Sequence, residues 1–451
     1  MRNHHLSRLS IIIGLTLGSQ ITLASGYHFG TQSVSSQATA NSSSAEAADA
    51  STLFYNAAGL TKLKGTHISA NLNLVMPSIK YSNAQAYYPS GNPQSVSGQT
   101  SGKITKDVVA APHGYISHQM NDKVTLGFGV YVPFGSESGY DDHSVLRYNI
   151  NQTNLMSVDL NPTIAIQATP KHAFAVGLIA QYTKAELRQY ANFGGLLGAN
   201  GKADGYADFK GHDWGMGYNL AWLWDANDQI RVGANYRSKI KHTLEGSAKW
   251  TTPNPLIEKF GYASYEGAKA EIETPESLSI HGMYKATDKW NVFGDVTWTK
   301  HSRFNVVNID YKNKKMVAGG QISDVSTFNP NWKNSFKYSL GASYQVTKPL
   351  QLRFGVAYDQ TPVRDADTRL STLPDNDRIW FSLGGKYSLN DHSSINVAYS
   401  YIHIKSAHAN VNGYCGGGSP GEVACVSSQT QGSADYKNNA QIFGVQYNYN
   451  F

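Results

Sequence analysis

The sequence lacks the residue patterns that mark the common kinds of catalytic site. A catalytic nucleophile needs a base beside it, yet the 15 histidines are scattered along the chain. The run Gly416-Gly417-Gly418 lacks the Lys-Ser/Thr that completes a phosphate-binding loop. The two cysteines have no histidine pair nearby to complete a tetrahedral metal shell. We therefore expect no enzyme, no metal and no cofactor.

The chemistry that the sequence does favour is the binding of a carboxylate by basic side chains. Lys337, Arg353 and Arg378 fall at polar positions of segments in which every second residue is apolar. If the apolar positions face lipid, these cations face an interior, because a charge on a lipid face costs about 2–4 kcal/mol near the midplane. They could hold the carboxylate of a ligand. Pairing with acidic side chains across the interior explains each cation at least as well.

Two apolar patches lie in neighbouring long loops of the predicted fold. They are formed by Phe193, Leu196, Leu197, Leu256, Ile257 and Phe260. Exposed apolar side chains on a loop are costly unless they serve a purpose. The two patches could form a groove that captures an apolar ligand, and packing of the loops on themselves is the equally good alternative.

A period-two pattern predicts the elements that position these residues. After Gly65 apolar and polar residues alternate, as at Ile379, Phe381 and Leu383, which indicates strands with one apolar and one polar face. Short polar turns separate pairs of strands, with long loops at the opposite ends, and this sorting is typical of outer-membrane barrels. The turns are expected at residues 121–122, 169–171, 225–228, 287–288, 347–349 and 390–391. The pattern predicts a closed, fourteen-stranded antiparallel transmembrane β-barrel over residues 65–451.

Composition excludes most other classes of protein. Charged residues make up 16% and aromatic residues 12% of the chain, and the net charge is +6. A helical membrane protein needs runs of about 20 apolar residues, a disordered chain has few aromatics, and the charge is too small for a nucleic-acid binder. A soluble periplasmic β-sandwich or propeller would alternate in a similar way, but such folds rarely sort their loops into short and long sets.

The first 64 residues do not alternate like a strand. Arg2 and Arg8 precede an apolar stretch and a small-residue cleavage site, which predicts a secretory signal peptide over residues 1–24. Residues 25–64 are small and polar with a few aromatics, and they are either a disordered tail or a plug for a wide barrel. The aromatics favour a plug, which we call the hatch. They are Tyr27, Phe29, Phe54 and Tyr55.

The expected export signal also bears on the two cysteines. Exported chains meet an oxidising environment, in which disulfides form and persist. Cys415 and Cys425 lie within one Gly-rich loop. We predict a disulfide between them that staples this loop only.

Several stretches resemble the FadL family of outer-membrane transporters for long-chain fatty acids and other hydrophobic compounds. Residues 49–60, DASTLFYNAAGL, are similar to the family's hatch motif Asn-Pro-Ala, with Asn56 and Ala58 matching and Ala57 in place of the proline. Residues 25–27 (SGY) resemble the family's first mature residues. The stretches at residues 132–135 (VPFG), 358–363 (YDQTPV) and 373–378 (LPDNDR) are also similar, and the last is the most specific.

The resemblance implies a monomeric barrel in the outer membrane of a Gram-negative bacterium, plugged by its hatch. Cargo would land in a groove between outer loops, move to a pocket beside the hatch and leave sideways at a kink in the third strand. Gly127, Gly129 and Pro133 lie in that strand, and Gly and Pro weaken strand pairing. Arg378 lies in the most specific stretch and is our first choice for the cargo carboxylate.

Other partners and one rival function follow from the same interpretation. Outer-membrane lipids, lipopolysaccharide and the barrel assembly machinery would contact the chain. Lys312 to Lys315 could meet lipopolysaccharide, although a solvated charge run is the simpler interpretation.

The alternative function is a general or substrate-selective porin for small polar solutes. A porin needs no N-terminal hatch, so removal of residues 25–64 separates the two functions.

Overall fold

The computed structural model of the protein describes residues 26–89, 95–193, 203–317, 320–414 and 424–451. The signal peptide predicted over residues 1–24 lies outside these ranges and stays a prediction. Within them the chain is almost entirely β-structure. No helix of the described ranges is long and apolar enough to cross a membrane.

Fourteen antiparallel strands form a closed barrel over the described ranges, which confirms the predicted fold. Each strand pairs with the next, and the last pairs with the first from His67–Asn450 to Tyr87–Gln431, so the ring has no free edge. We number the strands β1 to β14 in chain order, and six of them consist of two segments. The strands are β1 Thr66–Tyr87, β2 Gly102–Lys103 with Val109–Gln119, β3 Val124–Tyr131 with Gly135–Gly139, β4 Ile150–Gln167, β5 His172–Asn192, β6 Asp204–Asp225, β7 Ile230–Arg237 with Ile240–Thr251, β8 Glu266–Thr274 with Ser277–Lys285, β9 Trp290–Thr299 with Val307–Met316, β10 Ile322–Phe328 with Ser335–Gln345, β11 Leu350–Asp359, β12 Arg378–Ser388, β13 Ser393–Asn412 and β14 Gln431–Asn450.

The predicted alternation is seen in the exposure of the strand residues. In β12 the side chains of Phe381 and Leu383 are 51% and 60% exposed, whereas Trp380 and Ser382, which alternate with them, are buried. All six predicted turns join consecutive strands, the first between Gln119 of β2 and Val124 of β3. The apolar positions therefore form the outer, lipid-facing surface, and the polar positions face the interior.

Residues 26–64, which we call the N-terminal segment, are largely buried and contact inward-facing residues of several strands. They form two short helices, α1 (Val34–Gln37) and α2 (Thr52–Tyr55), and a 3-10 turn at Ala57–Lys62. Hydrogen bonds join the segment to opposite walls. Val34 N donates to Asn71 Oδ1 of β1 (3.1 Å), and Ser44 Oγ donates to Asp295 Oδ2 of β9 (2.7 Å).

The backbone ladder between β2 and β3 stops well before the strands end. Pairing extends from Gln119–Thr125 to Gly114–Val130, after which β3 follows β4 alone. Farther out, a single backbone bond, Gly139 N to Ile104 O (2.8 Å), joins the two strands again among the described residues. We call the interval between these points the β2–β3 gap.

The three residues predicted to weaken β3 have different roles in this gap. Gly127 and Gly129 lie inside regular pairs with both neighbours, so they do not interrupt the strand. Pro133 lies between the two segments of β3, where the interruption occurs. Val132, the residue before it, is fully buried.

A second interruption of the ladder lies between β8 and β9. The outer segments pair only as far as Ala270 and Ile309, and the inner segments begin to pair at Ser277 and Thr299. We call the interval between these pairs the β8–β9 seam.

Candidate functional site

The interior contains a series of cavities that starts at the outer loops. The outermost is a mixed polar and apolar vestibule, lined in part by Gln189, Asp367 and Arg369. Ile150, Phe328 and Leu370 line both the vestibule and the next cavity inward. These three apolar side chains therefore form the boundary that a molecule must pass to go deeper.

The second cavity is almost purely apolar. It lies between the outer segments of β4 to β10, each of which contributes inward-facing aliphatic or aromatic side chains. The main lining residues are Leu155, Leu187, Phe209, Leu244, Ile272, Phe304 and Ile309. Burial of a methylene group in such surroundings stabilises it by about 0.8 kcal/mol. The cavity suits an alkyl chain or a small hydrocarbon and gives a hydrated solute nothing to bind.

An aromatic layer closes the inner end of the apolar cavity. The ring of Tyr27 stacks on Trp332 at 5.5 Å and meets Phe304 and Phe134 at 5.2 and 5.7 Å. Phe304 also contacts Trp332 at 4.7 Å. Burial raises the pKa of the Tyr27 phenol, so this ring stays neutral. The layer consists of side chains from the N-terminal segment and from the interruptions of β3, β9 and β10.

A polar chamber lies on the inner side of this layer, against the N-terminal segment. Its wall is made of hydroxyl, amide and charged side chains. They are His28, Asn41, Ser44, Asn235, Arg237, Ser277, Ser279, Asp295, Thr297, Thr299, His301, Ser335, Lys337, Ser339 and Asp359. Burial first, and then the positive charges of the chamber, lower the pKa of His28 to about 3, so its imidazole is neutral at pH 7.

The three cations chosen from the sequence all face the interior, but they differ in their partners. Arg353 is buried and pairs with Glu46 of the N-terminal segment. Arg378 is buried and pairs with Asp375 at 2.5 Å. Lys337 lines the polar chamber, and among the described residues its side chain forms no ion pair or hydrogen bond. Its Nζ lies 4.2 Å from the centre of the Trp380 ring.

The stretch at residues 373–378 holds the start of the N-terminal segment. Asp375 Oδ2 accepts hydrogen bonds from Gly26 N (3.1 Å) and from Thr361 Oγ1 (2.9 Å), while its Oδ1 pairs with Arg378. Asp359 lies 3.7 Å from the other side of the Arg378 guanidinium. The geometry thus gives Arg378 a structural task; whether it also meets cargo stays a prediction.

The start of the N-terminal segment also lies across the β2–β3 gap. Phe29 N donates to Pro133 O (2.7 Å), and Gly135 N donates to Tyr27 O (2.8 Å). Phe29 is fully buried and stacks on His113 of β2 at 5.7 Å. Backbone groups that β3 leaves without a strand partner are therefore satisfied by residues 27–29.

The last part of the N-terminal segment is fixed by its Asn56 motif. Asn56 Oδ1 accepts from Ala58 N (3.1 Å), which starts the 3-10 turn. Asn56 Nδ2 lies 2.9 Å from Trp222 O of β6 and 2.7 Å from His281 Nε2 of β8. Ala57 is fully buried and makes the same turn without the proline of the family motif.

The profile of the family described as outer membrane protein transport protein (OMPP1/FadL/TodX) matches residues 15–451. The chain belongs to this family. An outer membrane protein of Neisseria meningitidis serogroup B is 48% identical over 471 residues, covering 99% of both chains. The long-chain fatty acid transport protein of Escherichia coli O6:H1 is 25% identical over 367 residues, covering 75% of this chain and 76% of its own.

The solved structure of a FadL homologue from Pseudomonas aeruginosa has the same fold. The two structures superpose with a TM-score of 0.84 at 21% identity, over 94% of this chain and 100% of that one. Family membership places this FadL-family chain in the outer membrane of a Gram-negative bacterium as a transport protein for hydrophobic compounds, and it is not an enzyme.

The remaining predicted residues of this FadL-family barrel lie at the outer end. Phe193 is buried and meets Tyr262 edge-on at 5.0 Å, and Ile257 and Phe260 pack on the same apolar cluster, whereas Leu256 is 58% exposed. Phe193, the first residue after β5, therefore contacts the region that contains Ile257 and Phe260. Leu196, Leu197 and Cys415 lie outside the described residues, so the capture groove and the Cys415–Cys425 disulfide stay predictions.

Sequence reasoning missed the aromatic layer and the Arg237 network. Phe304 and Trp332 lie in strand interruptions that the alternation does not reveal. Arg237 binds Asp159 at 2.9 Å and the Tyr131 hydroxyl at 2.7 Å. Its position on a polar row was visible in the sequence, but its partners lie on β3 and β4, far away along the chain.

Proposed function

We propose that this chain takes up long-chain fatty acids or similar hydrophobic compounds passively across the outer membrane. The observation that carries the proposal is the apolar cavity, which adjoins the vestibule at Ile150, Phe328 and Leu370 and ends at an aromatic layer beside the β2–β3 gap. An alkyl tail can occupy this path without contact with water. No energy source is needed in this proposal, because burial of the apolar tail in the bilayer is itself favourable.

The route has three steps. The loops that carry Phe193, Leu256, Ile257 and Phe260 capture cargo at the outer surface. Cargo then enters the apolar cavity and displaces Tyr27 from the aromatic layer. It leaves sideways through the β2–β3 gap once residues 27–29 have moved away from Pro133. An exit into the bilayer avoids transfer of the apolar tail into the aqueous periplasm.

Residues 26–64 act as a hatch in this proposal. Their ion pairs with the wall support this role: Glu46 with Arg353, and Lys62 with Asp225 at 2.5 Å. Removal of residues 25–64 should open a water-filled path and abolish selective uptake of fatty acids. Selective uptake that survives the deletion would refute the hatch.

Lys337 is the residue we favour for the carboxylate of a fatty acid. Its ammonium group is available, whereas the charges of Arg353 and Arg378 are already matched by Glu46 and Asp375. A charged hydrogen bond to a carboxylate is worth roughly 1.5–3 kcal/mol. The head group would then lie in the polar chamber and the tail in the apolar cavity.

A channel for small polar solutes is the second candidate function. The polar chamber favours it, since its hydroxyl and amide groups suit such a solute better than a hydrocarbon. Swelling of proteoliposomes in sugars or amino acids measures this activity directly. Rapid swelling with the full chain would support the porin; swelling only after removal of residues 25–64 would support the hatch.

Uptake by cells tests the main proposal. A strain that lacks its own transporter is supplied with this chain and given oleate, then toluene, as the carbon source. Growth on oleate alone identifies the cargo as fatty acid, and growth on toluene alone identifies it as aromatic hydrocarbon. Growth on neither, with the barrel correctly assembled, would refute uptake of both classes.

A further inference from the structure

The β8–β9 seam leaves the barrel wall without a continuous backbone ladder. Pairing between the two strands ends at Ala270 and Ile309 and resumes at Ser277 and Thr299. In the hydrocarbon region of a membrane, strand pairing satisfies essentially every backbone polar group of a barrel. An interval without pairing is therefore a weak point, and it persists only at a polar boundary or where other groups close it.

Charged side chains close the seam on its outer surface. The guanidinium of Arg303 binds both oxygens of Glu276, with Nε–Oε2 at 2.9 Å and Nη2–Oε1 at 2.7 Å, and lies 3.5 Å from Glu273. Lys239 pairs with Glu273 at 3.2 Å, and Lys300 pairs with Glu276 at 3.4 Å. We call these five residues the ion-pair latch. In the described ranges, the one backbone bond across the interval is Lys300 N to Glu276 O (2.9 Å).

The seam lies at the outer boundary of the lipid-facing belt. Ten residues of β9, Trp290–Thr299, separate it from the inner turn, and a tilted strand needs about 9 to 11 residues to cross the hydrocarbon. Directly inward of the seam the outer surface is apolar, with Leu278 and Ile280 exposed. Directly outward it is charged, with Lys241 and Glu271 paired at 3.3 Å.

The apolar cavity and the polar chamber both extend to the inner side of the seam. Ile272 and Phe304 line the apolar cavity, and Thr299 lines the polar chamber. The Tyr27 hydroxyl donates to Glu273 O (3.3 Å), a carbonyl that β9 does not pair with. A molecule that rests against the aromatic layer is therefore separated from the outside at this point by Phe304 and the latch.

We propose that the β8–β9 seam is a second lateral exit, through which an anionic single-chain amphiphile passes from the apolar cavity into the outer leaflet. The latch contains three cations and two carboxylates, so the carboxylate of the cargo can replace Glu276 on Arg303 while its tail enters the bilayer. This inference rests on the uptake of amphiphiles proposed above. It adds an exit that is closed by side chains and one backbone bond, whereas residues 27–29 cover the β2–β3 gap with backbone.

The first experiment locks the seam. Glu276→Cys and Arg303→Cys are combined with Cys415→Ser and Cys425→Ser, and the two new thiols are joined by a short cleavable bifunctional reagent. Uptake of radiolabelled oleate into cells is measured before cross-linking, after it, and after cleavage of the linker. Arg188→Cys with Asp208→Cys is the matched control, because Arg188 and Asp208 form the same two-bond ion pair (2.7 and 3.0 Å) across a continuous ladder.

The second experiment measures opening without transport. A lipid-soluble maleimide labels Phe304→Cys in proteoliposomes, in the same cysteine-free background. Addition of Arg303→Ala should raise the rate of labelling by about fivefold, as expected for loss of one well-formed surface ion pair. Arg188→Ala should leave the rate unchanged.

The outcomes distinguish failure of the seam exit from failure of the proposed function. The seam exit predicts that cross-linking at positions 276 and 303 slows oleate uptake, that cleavage restores it, and that the control pair has no effect. Uptake that the lock leaves unchanged, or labelling that is equal in the two arginine variants, overturns the exit. If the protein imports no oleate even before cross-linking, the proposed function fails, and the labelling rates still decide whether the seam opens.

Discussion

Single residues decide what the interior of this barrel can bind, and Lys337 stands apart from the other interior cations. Arg353 and Arg378 each meet a carboxylate that fixes the N-terminal segment or its surroundings. Arg237 meets Asp159. Lys337 packs on the face of Trp380 and shares its chamber with Asp295 and Asp359, but no ion pair is formed between its ammonium group and these carboxylates among the described residues, so its charge is available to cargo.

Lys337→Met should weaken oleate binding about tenfold or more, because a charged hydrogen bond to the carboxylate is lost. Binding of toluene, which has no head group, should not change, and Lys337→Arg should retain most of the oleate affinity. Equilibrium binding to the purified protein in detergent measures both ligands. Equal losses for oleate and toluene would show that the lysine supports the cavity and does not hold a carboxylate.

The sequence could place these cations but could not identify their partners. The alternation predicts an inward position for Lys337, Arg353 and Arg378, and the structure confirms this. The partner of Arg353 is Glu46, 307 residues away along the chain. Contacts over such distances depend on the closure of the whole ring and on the path of the N-terminal segment, neither of which leaves a local pattern.

His28 makes the docking of the N-terminal segment depend on pH. Its pKa is about 3 in the folded protein and ordinarily near 6.5, so the docked state binds the proton less well than the released state. Docking should therefore be fully stable above about pH 6.5 and weaken as the pH falls, by up to about tenfold per pH unit. Protease protection of residues 26–64 between pH 7 and 5 measures this. His28→Gln should flatten the pH dependence of protease protection. If the pH dependence were unchanged in this variant, it would belong to other titratable groups.

At the scale of elements, glycines in β3 make room for the N-terminal segment. A Cβ atom at Gly127 would lie 2.7 Å from Leu60 Cδ1 and 2.8 Å from Leu53 Cδ1. These glycines were predicted as candidates for the kink because Gly weakens pairing. Their actual task is packing, and Pro133 occupies the interruption. The sequence alone cannot distinguish a strand glycine that weakens pairing from one that makes room for packing, because the residue is glycine in both cases.

Gly127→Leu should displace the 3-10 turn and α2 from the wall, at a cost of about 1–3 kcal/mol for overpacking. The barrel itself should still assemble, as judged by heat-modifiable mobility in gels. Gly114→Leu on β2 is the control, because a Cβ there meets nothing within 4 Å. Limited proteolysis should cut the N-terminal segment faster in the first variant only. Equal cleavage rates would mean that the glycine does not support docking.

The interruptions of β3, β8, β9 and β10 are elements that sequence reasoning did not foresee in full. Pro133 and Pro275 give a local signal for two of them. The breaks in β9 and β10 contain Phe304 and Trp332, which resemble ordinary loop aromatics until the fold brings them to Tyr27. Their effect is collective, because four separate breaks supply one aromatic layer and two openings in the ladder.

At the scale of the whole molecule, the barrel sorts its interior into an apolar outer part and a polar inner part. The number of strands, their order and the sorting of short turns and long loops followed from the period-two pattern alone. The position of the cavities did not, because it depends on where the N-terminal segment ends and on which strands are interrupted. Occupation of the cavity between β4 and β10 by cargo is therefore the step on which the proposed route depends.

Photolabelling tests this step directly. A fatty acid with a diazirine near the end of its tail is irradiated with the purified full chain in lipid nanodiscs, and the labelled peptides are identified by mass spectrometry. The account predicts adducts on inward-facing residues such as Leu187, Leu244 and Ile309, which excess oleate suppresses. Adducts confined to lipid-facing residues such as Leu383, with no suppression by oleate, would contradict it.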